Sequence, residues 1–247
     1  MFALALLAVL APAPGHRPAP PTTGRELLAA MHDRYAGRWY HTLSFVQTTT
    51  LADGRKETWY EAAAIPGRLR IDFGADTART TLLFAGDSIY QFHNGAPAGS
   101  QPFVHPLMVL GFDVYAQPVE RTVAQLTALG FDLGPVHTDT WQGRPVYVVG
   151  APAGDTLGRQ IWVDRERLLF VRMIEPSRRD PAVHVVTEFN DYRPLGQGWI
   201  AAEVRATMNG KVVQFEQYHD IKADPSLPAD LWDAGKLPSA TWMGTRN

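Results

Sequence analysis

The residues able to do chemistry are scattered along this chain, and the first question is whether any spacing gathers them. None of its serines stands in a G-x-S-x-G turn, the strained strand-to-helix corner that exposes a hydrolase nucleophile. Ser88, following Gly86-Asp87, reads instead as a turn residue. The eight histidines contain no H-E-x-x-H pattern; the nearest in sequence are His32 and His41, then His93 and His105, whereas a helical zinc site needs two imidazoles one turn apart. His184 and His219 fall within strand-like runs, as packed or surface residues do. Among the acids, Asp139, Glu188 and Asp191 belong to strands or turns, with no spacing that pairs two for acid–base work. Gly196-Gln197-Gly198 and the stretch from Gly95 to Gly99 open no helix, so they lack the amide cradle that phosphate requires. Arg178-Arg179-Asp180 ahead of Pro181 reads as a charged, solvated turn. No catalytic residue, metal site or cofactor is therefore expected.

Composition narrows the partners in the same direction. Lys plus Arg number 23 against 25 Asp plus Glu, a formal net charge of -2, which leaves no electrostatic footprint for nucleic acid. Hydrophobic residues make up 45% of the 247, enough for one packed core in a single all-β domain of this length. The absence of cysteine excludes disulfides, thiolate chemistry and a lipidated cysteine. Residues 2–10 are continuously apolar and run into Ala11-Pro12-Ala13, the length and flank of a secretory signal rather than of a membrane span, although no Lys or Arg precedes them. The proline-rich stretch that follows, as far as Gly24, reads as an extended linker.

The elements that would position a site are legible from there on. Thr23 precedes Arg25 and Glu26, and Leu27, Leu28, Met31 and Tyr35 recur at helical spacing until Gly37, predicting a short amphipathic helix. Residues 43–50, 57–65 and 68–73, parted by Ala52-Asp53-Gly54 and Pro66-Gly67, read as a β-meander. In the third run Leu69, Ile71 and Phe73 alternate with Arg68, Arg70 and Asp72, predicting one dry and one wet face. Residues 80–85 and 88–93 make a further hairpin, after which Asn94-Gly95 and a Pro/Gly-rich stretch are read as breaking the sheet. Residues 103–115 and the segment from Pro118 to Gly130 carry apolar faces that predict two short helices. Strands then resume over residues 136–141, 144–150, 159–164, 168–174 and 183–192. Met208-Asn209-Gly210-Lys211 predicts a type I′ hairpin, with Ala206 facing Val213, Val204 facing Phe215 and Arg205 facing Gln214.

Seven Trp, eight Tyr and eleven Phe include the strand positions Phe45, Trp59, Tyr90, Phe92 and Trp162. A broad antiparallel sheet with a few short apolar helices must curve around them, and imperfect filling between the two leaves an apolar pocket suited to an acyl chain. Small-residue stretches such as Ala62-Ala63-Ala64 and Ala201-Ala202 equally allow close packing.

In this order the pieces resemble the LolA/LolB-like lipoprotein-sorting fold, an incomplete antiparallel barrel capped by helices that carries lipoprotein acyl chains through the periplasm. The resemblance rests on the opening helix running into Leu43-Ser44-Phe45-Val46-Gln47 and on Ala63-Ala64-Ile65-Pro66-Gly67-Arg68-Leu69-Arg70, similar to the family's strand-Pro-strand element. It extends to Leu83-Phe84-Ala85-Gly86-Asp87-Ser88-Ile89-Tyr90 and to Ile161-Trp162-Val163-Asp164 with the run after it, and spans Glu26 to Leu231. Two positions depart from the pattern: the family's gating arginine before the proline is Ile65 here, and the aromatic three residues past it is Leu69. What the resemblance implies is a lipid-holding cavity, and the two departures fall on the apparatus that couples such a cavity to an export machine.

The expectations are these. The fold is mainly β (α+β), a large curved antiparallel sheet forming an incomplete barrel of about twelve strands with short helices over its concave face. Residues 1–22 are signal and linker, 23–235 one LolA-like domain and 236–247 a tail. The function implied is that of a non-enzymatic periplasmic carrier, acting as a monomer, whose cavity wall is Phe45, Trp59, Ile65, Leu69, Ile71, Phe73, Leu107, Leu110, Trp162, Val204 and Phe215. Its implied partners are a lipid or lipoprotein acyl chains, with an inner-membrane export complex or outer-membrane acceptor resting on the resemblance alone. The alternatives are a periplasmic sensor or envelope-assembly protein of the same fold, and an enzyme whose site converges only in space.

Overall fold

The computed structural model describes residues 19–73, 80–177 and 180–236. The apolar N-terminal stretch and the Arg178-Arg179 pair lie outside the described residues. Helix α1 (Gly24–Tyr35) begins where its sequence signal places it. Thr23 accepts the Glu26 amide while the Glu26 side chain reaches back, a reciprocal box that satisfies two amides left bare by the first turn. Leu27, Leu28, Met31 and Tyr35 form its buried stripe.

A meander follows: β1 (Thr42–Leu51), β2 (Lys56–Ala64), β3 (Arg68–Phe73), β4 (Thr80–Ala85), β5 (Ser88–His93) and β6 (Ala96–Pro102). Next come α2 (Pro106–Gly111), a 3₁₀ turn (Asp113–Tyr115) and α3 (Val119–Ala128). A second meander then runs through β7 (Val136–Trp141), β8 (Arg144–Val149), β9 (Gln160–Asp164), β10 (Phe170–Pro176), β11 (His184–Leu195), β12 (Gly198–Met208) and β13 (Lys211–Ala223). All belong to one 13-stranded sheet of order β6-β5-β4-β3-β2-β1-β13-β12-β11-β10-β9-β8-β7. Strands β1 and β13 meet in the middle, so β6 and β7 are the two open edges. The chain between them has to cross the mouth of the curved sheet. That crossing is α2, the 3₁₀ turn and α3, and it lays their apolar stripes over the concave face.

The main core lies between that face and the helices, from Phe45, Leu69 and Ile71 on one limb to Val163, Phe170 and Phe189 on the other. The incomplete barrel with helices is the architecture expected from the sequence. Three local expectations are corrected. Asn94-Gly95 turns the chain into β6 instead of ending the sheet. Pro97 and Pro102 are tolerated because β6 is an edge, where a missing amide donor costs no ladder bond. The face of β3 read as wet is exposed only at Arg68; Arg70 and Asp72 are 0% and 2% exposed. Asp72 accepts Arg70 Nε at 2.8 Å and Nη2 at 3.2 Å and the Thr81 hydroxyl. A second 3₁₀ turn (Ala229–Trp232) returns across the outer face, where Trp232 packs with Leu83 and Phe92 and under Arg68.

The third correction is one of register. Asn209 and Gly210 have φ of 47° and 76°, as a type I′ turn demands, and Met208 pairs Lys211. A bulge at Ala206/Thr207 then shifts the ladder, so that Ala206 pairs Gln214, Arg205 pairs Phe215 and Val204 pairs Glu216. One inserted residue exchanges the faces of everything beyond it. Phe215 goes to the outer face, and Glu216 turns inward.

A candidate lipid-binding face

Nine of the eleven residues read as cavity wall share the main core: Phe45, Ile65, Leu69, Ile71, Leu110 and Val204 are buried in it, and Trp59, Phe73 and Leu107 pack against it. Phe45 stacks on Tyr218 with centroids 4.4 Å apart, and Trp59 lies 5.3 Å from Phe73. The other two lie across the sheet. Trp162 belongs to a separate outer cluster with Trp141, Val146, Val148 and Val171, under the Arg172 guanidinium. Phe215, carried outward by the bulge, lies beneath Arg205.

The helical cover sits closely on this face. A Cβ on Gly111 would come within 2.8 Å of the Phe189 ring, so α2 reaches its distance from β11 only with glycine there. Tyr115, 0% exposed, ties the 3₁₀ turn to the sheet, its hydroxyl oxygen accepting the Phe170 amide at 2.9 Å. Towards β2–β5 the cover is fastened by polar contacts at two turns. The Asp113 carboxylate accepts the Gly67 amide at 2.9 Å. Asp87, in the turn between β4 and β5, takes both 3.0 Å contacts of Arg121 and one of 2.8 Å from Gln125. Asp113 is 2% exposed; burial lifts its carboxyl from 3.8 to about 7, against the Gly67 hydrogen bond and the Arg121 charge, with Asp87 adding to the rise.

A cleft of about 20 Å³ lies at this junction, lined by Asp113, Asp87, Ser88, His105, Phe84 and Met108 among others. It has room for one water. Acid, imidazole and hydroxyl do converge here, but their hydrogen bonds hold elements together: His105 accepts the Leu107 amide at 3.2 Å to cap α2, and the two carboxylates fasten turns. Among the described residues no three His, Asp or Glu side chains are grouped as a metal would require, and no helix is long and apolar enough to cross a membrane.

The same concave face carries two acids that the wall assignment omitted. Glu61 pairs Phe45 on β1 and Ile71 on β3 and is 5% exposed. Its carboxyl has no hydrogen-bond partner among the described residues, and burial pushes it well above the usual carboxylate range, with the Glu216 charge adding to the rise. Glu216 is half-buried and accepts the Tyr218 hydroxyl at 2.8 Å and the Gln214 amide. Burial raises it too, against those hydrogen bonds and one from Gln47. Glu61 had a sequence signal: with Trp59 on the wall, period two puts residue 61 on the same face. Glu216 had none, because only the bulge turns it inward.

No family model matches the chain, and no curated protein sequence does. Among solved structures, a DUF1329 family protein from Desulfovibrio piger superposes with a TM-score of 0.54 at 13% identity, over 87% of this chain and 97% of that one. At that identity the likeness shows the fold alone. A LolA superfamily protein from Nitrosomonas europaea is similar over 86% of this chain and 98% of its own (TM-score 0.49, 13% identity). An outer membrane lipoprotein-sorting protein domain from Vibrio parahaemolyticus is similar over 87% and 98% (TM-score 0.48, 12% identity). The architecture expected from the sequence, one unclosed curved antiparallel sheet with helices over it, is the one this chain has.

Proposed function

We propose that this protein is a periplasmic carrier or binding protein that holds lipoprotein acyl chains or another lipid between the concave face and the α2–α3 cover. The observation that carries this reading is the construction of that junction. A largely apolar sheet face, from Phe45 through Leu69 and Ile71 to Val204 and interrupted by Glu61 and Glu216, is covered by helices tied to β2–β5 through the Asp113–Gly67 and Arg121–Asp87 contacts rather than by a β-ladder. The cover can therefore separate from that limb without breaking strand pairing. An acyl chain sliding in would gain about 0.8 kcal/mol per buried methylene. Leu107 and Leu110 would line the cover side, and Phe45, Trp59, Ile65, Leu69, Ile71, Phe73 and Val204 the sheet side. Export to the periplasm, and exchange with an inner-membrane complex or outer-membrane acceptor, belong to the same proposal.

The cleft between sheet and cover, about 20 Å³ in this conformation, is far below the several hundred Å³ of a typical ligand pocket. That favours a second reading, an envelope interaction protein of the same fold with no cargo. Native mass spectrometry of protein purified from a bacterial periplasm, followed by extraction and identification of anything bound, separates the two. A stoichiometric lipid or acylated peptide supports the carrier. A protein that is empty, and that takes up no fluorescent fatty acid, overturns it in favour of the interaction protein.

A further inference from the structure

The concave face is apolar except where β1, β2 and β13 run towards the β1–β2 and β12–β13 turns. There the inward residues of β2 are Glu57, Trp59 and Glu61, those of β1 are Gln47 and Thr49, and those of β13 are Gln214, Glu216 and Tyr218. Phe73 and Ile71 of β3 and Val204 of β12 close the two sides. The helices' polar fastenings lie at the opposite end of these strands, at Gly67 and Asp87, away from this trough. Its charges are unbalanced. Glu57 has a counter-ion in Arg55 and a donor in Trp59 Nε1 at 3.0 Å. Among the described residues Glu61 and Glu216 have no cationic partner, and Glu61, 5% exposed, accepts no hydrogen bond. Keeping a carboxyl there has a cost that an apolar residue would not have, because burial takes its charged form out of water. Carboxylates walled by aromatic rings are what an ammonium group needs, charge from the acids and the ring faces of Trp59, Phe73, Phe45 and Tyr218 around it.

We propose that the trough between Glu61 and Glu216 holds the ammonium group of an amphiphile whose hydrocarbon chain lies along the apolar concave face. This rests on the lipid-binding reading and adds the chemistry of the cargo's polar end. A cation beside Glu61 favours its ionised form, against the burial that raises its carboxyl, so binding is linked to proton release. The chemistry is shared by a phospholipid bearing an ethanolamine headgroup and by a simple long-chain amine, and the two are told apart by probe.

The test is isothermal titration at neutral pH with dodecylammonium, dodecanoate and a lauroyl lysophosphatidylethanolamine, each below its micelle concentration, in two buffers of different ionisation enthalpy. Dodecylammonium is expected to bind wild type about tenfold more tightly than dodecanoate, with proton release. Glu61→Gln, nearly isosteric and free of the buried acid, is expected to bring that preference close to unity while remaining folded by circular dichroism. Binding of the lysophospholipid with the same dependence on Glu61 points to a headgroup source; binding of the bare amine alone points to a non-phospholipid one. Equal affinity for amine and acid, or a preference that survives Glu61→Gln, overturns the inference and leaves the acyl-chain reading standing. Failure of all three probes to bind removes both.

Discussion

Replacing Asp113 by Asn tests whether the carboxylate between the 3₁₀ turn and Gly67 is a pH-sensitive fastening. The side chain is 2% exposed, and Asn keeps an oxygen able to accept the Gly67 amide. Burial lifts the native carboxyl from 3.8 to about 7. The native state therefore holds a proton that the unfolded chain has already released. Stability must fall as pH rises through that interval, with no penalty below about pH 4 and the full penalty above about pH 7. A rise of this size corresponds to about 4 kcal/mol, of which about 3 is lost between pH 5 and 8. Urea unfolding of wild type and Asp113→Asn at both pH values isolates the group, because the raised Glu61 and Glu216 carboxyls are common to the two proteins and cancel in the difference. The variant is expected to gain about 3 kcal/mol on wild type between pH 5 and 8. Parallel pH profiles would refute the reasoning: Asp113 would then titrate as an ordinary carboxylate, and the burial that lifts it would not persist in solution.

Leu69→Glu, which places a charge on the proposed wall, is expected to abolish uptake of a fluorescent fatty acid by a folded protein; undiminished uptake would remove Leu69 from the wall. Trp162→Ala is expected to cost about 3–5 kcal/mol in urea unfolding, as deletion of a buried aromatic does. Its uptake per folded molecule should stay at the wild-type level, because the ring lies in the outer cluster; a folded variant that lost uptake would contradict that placement. Arg121→Ala breaks an ion pair whose side chains are 49% and 42% exposed, so stability should change by less than about 1 kcal/mol. Stopped-flow association of the same fatty acid should nevertheless quicken, and an unaltered rate would mean that the Asp87 contact does not hold the cover down.

The sequence by itself determined what depends on near neighbours. Thr23 and Glu26 set the start of α1, and Asn209-Gly210 set the last hairpin through the positive φ that both residues adopt. Alternation along Leu69, Ile71 and Phe73 set which side of β3 faces the main core. These follow from backbone sterics and side-chain period, which act over a few residues. Tertiary structure decided what distant segments do to one another. Alternation distinguishes two faces but not whether each is covered, and the return of Ala229–Trp232 turned the charged face of β3 into a buried one around Arg70 and Asp72. A composition rich in proline and glycine bars a central strand but not an edge, and only the sheet order makes β6 an edge. The bulge in the β12–β13 ladder sent Phe215 out and Glu216 in, because a period of two exchanges faces at a single inserted residue. The proposed acidic trough exists for that reason: Glu61 and Glu216, 155 positions apart by their numbers, come to one face only when β1 and β13 pair in the middle of the sheet.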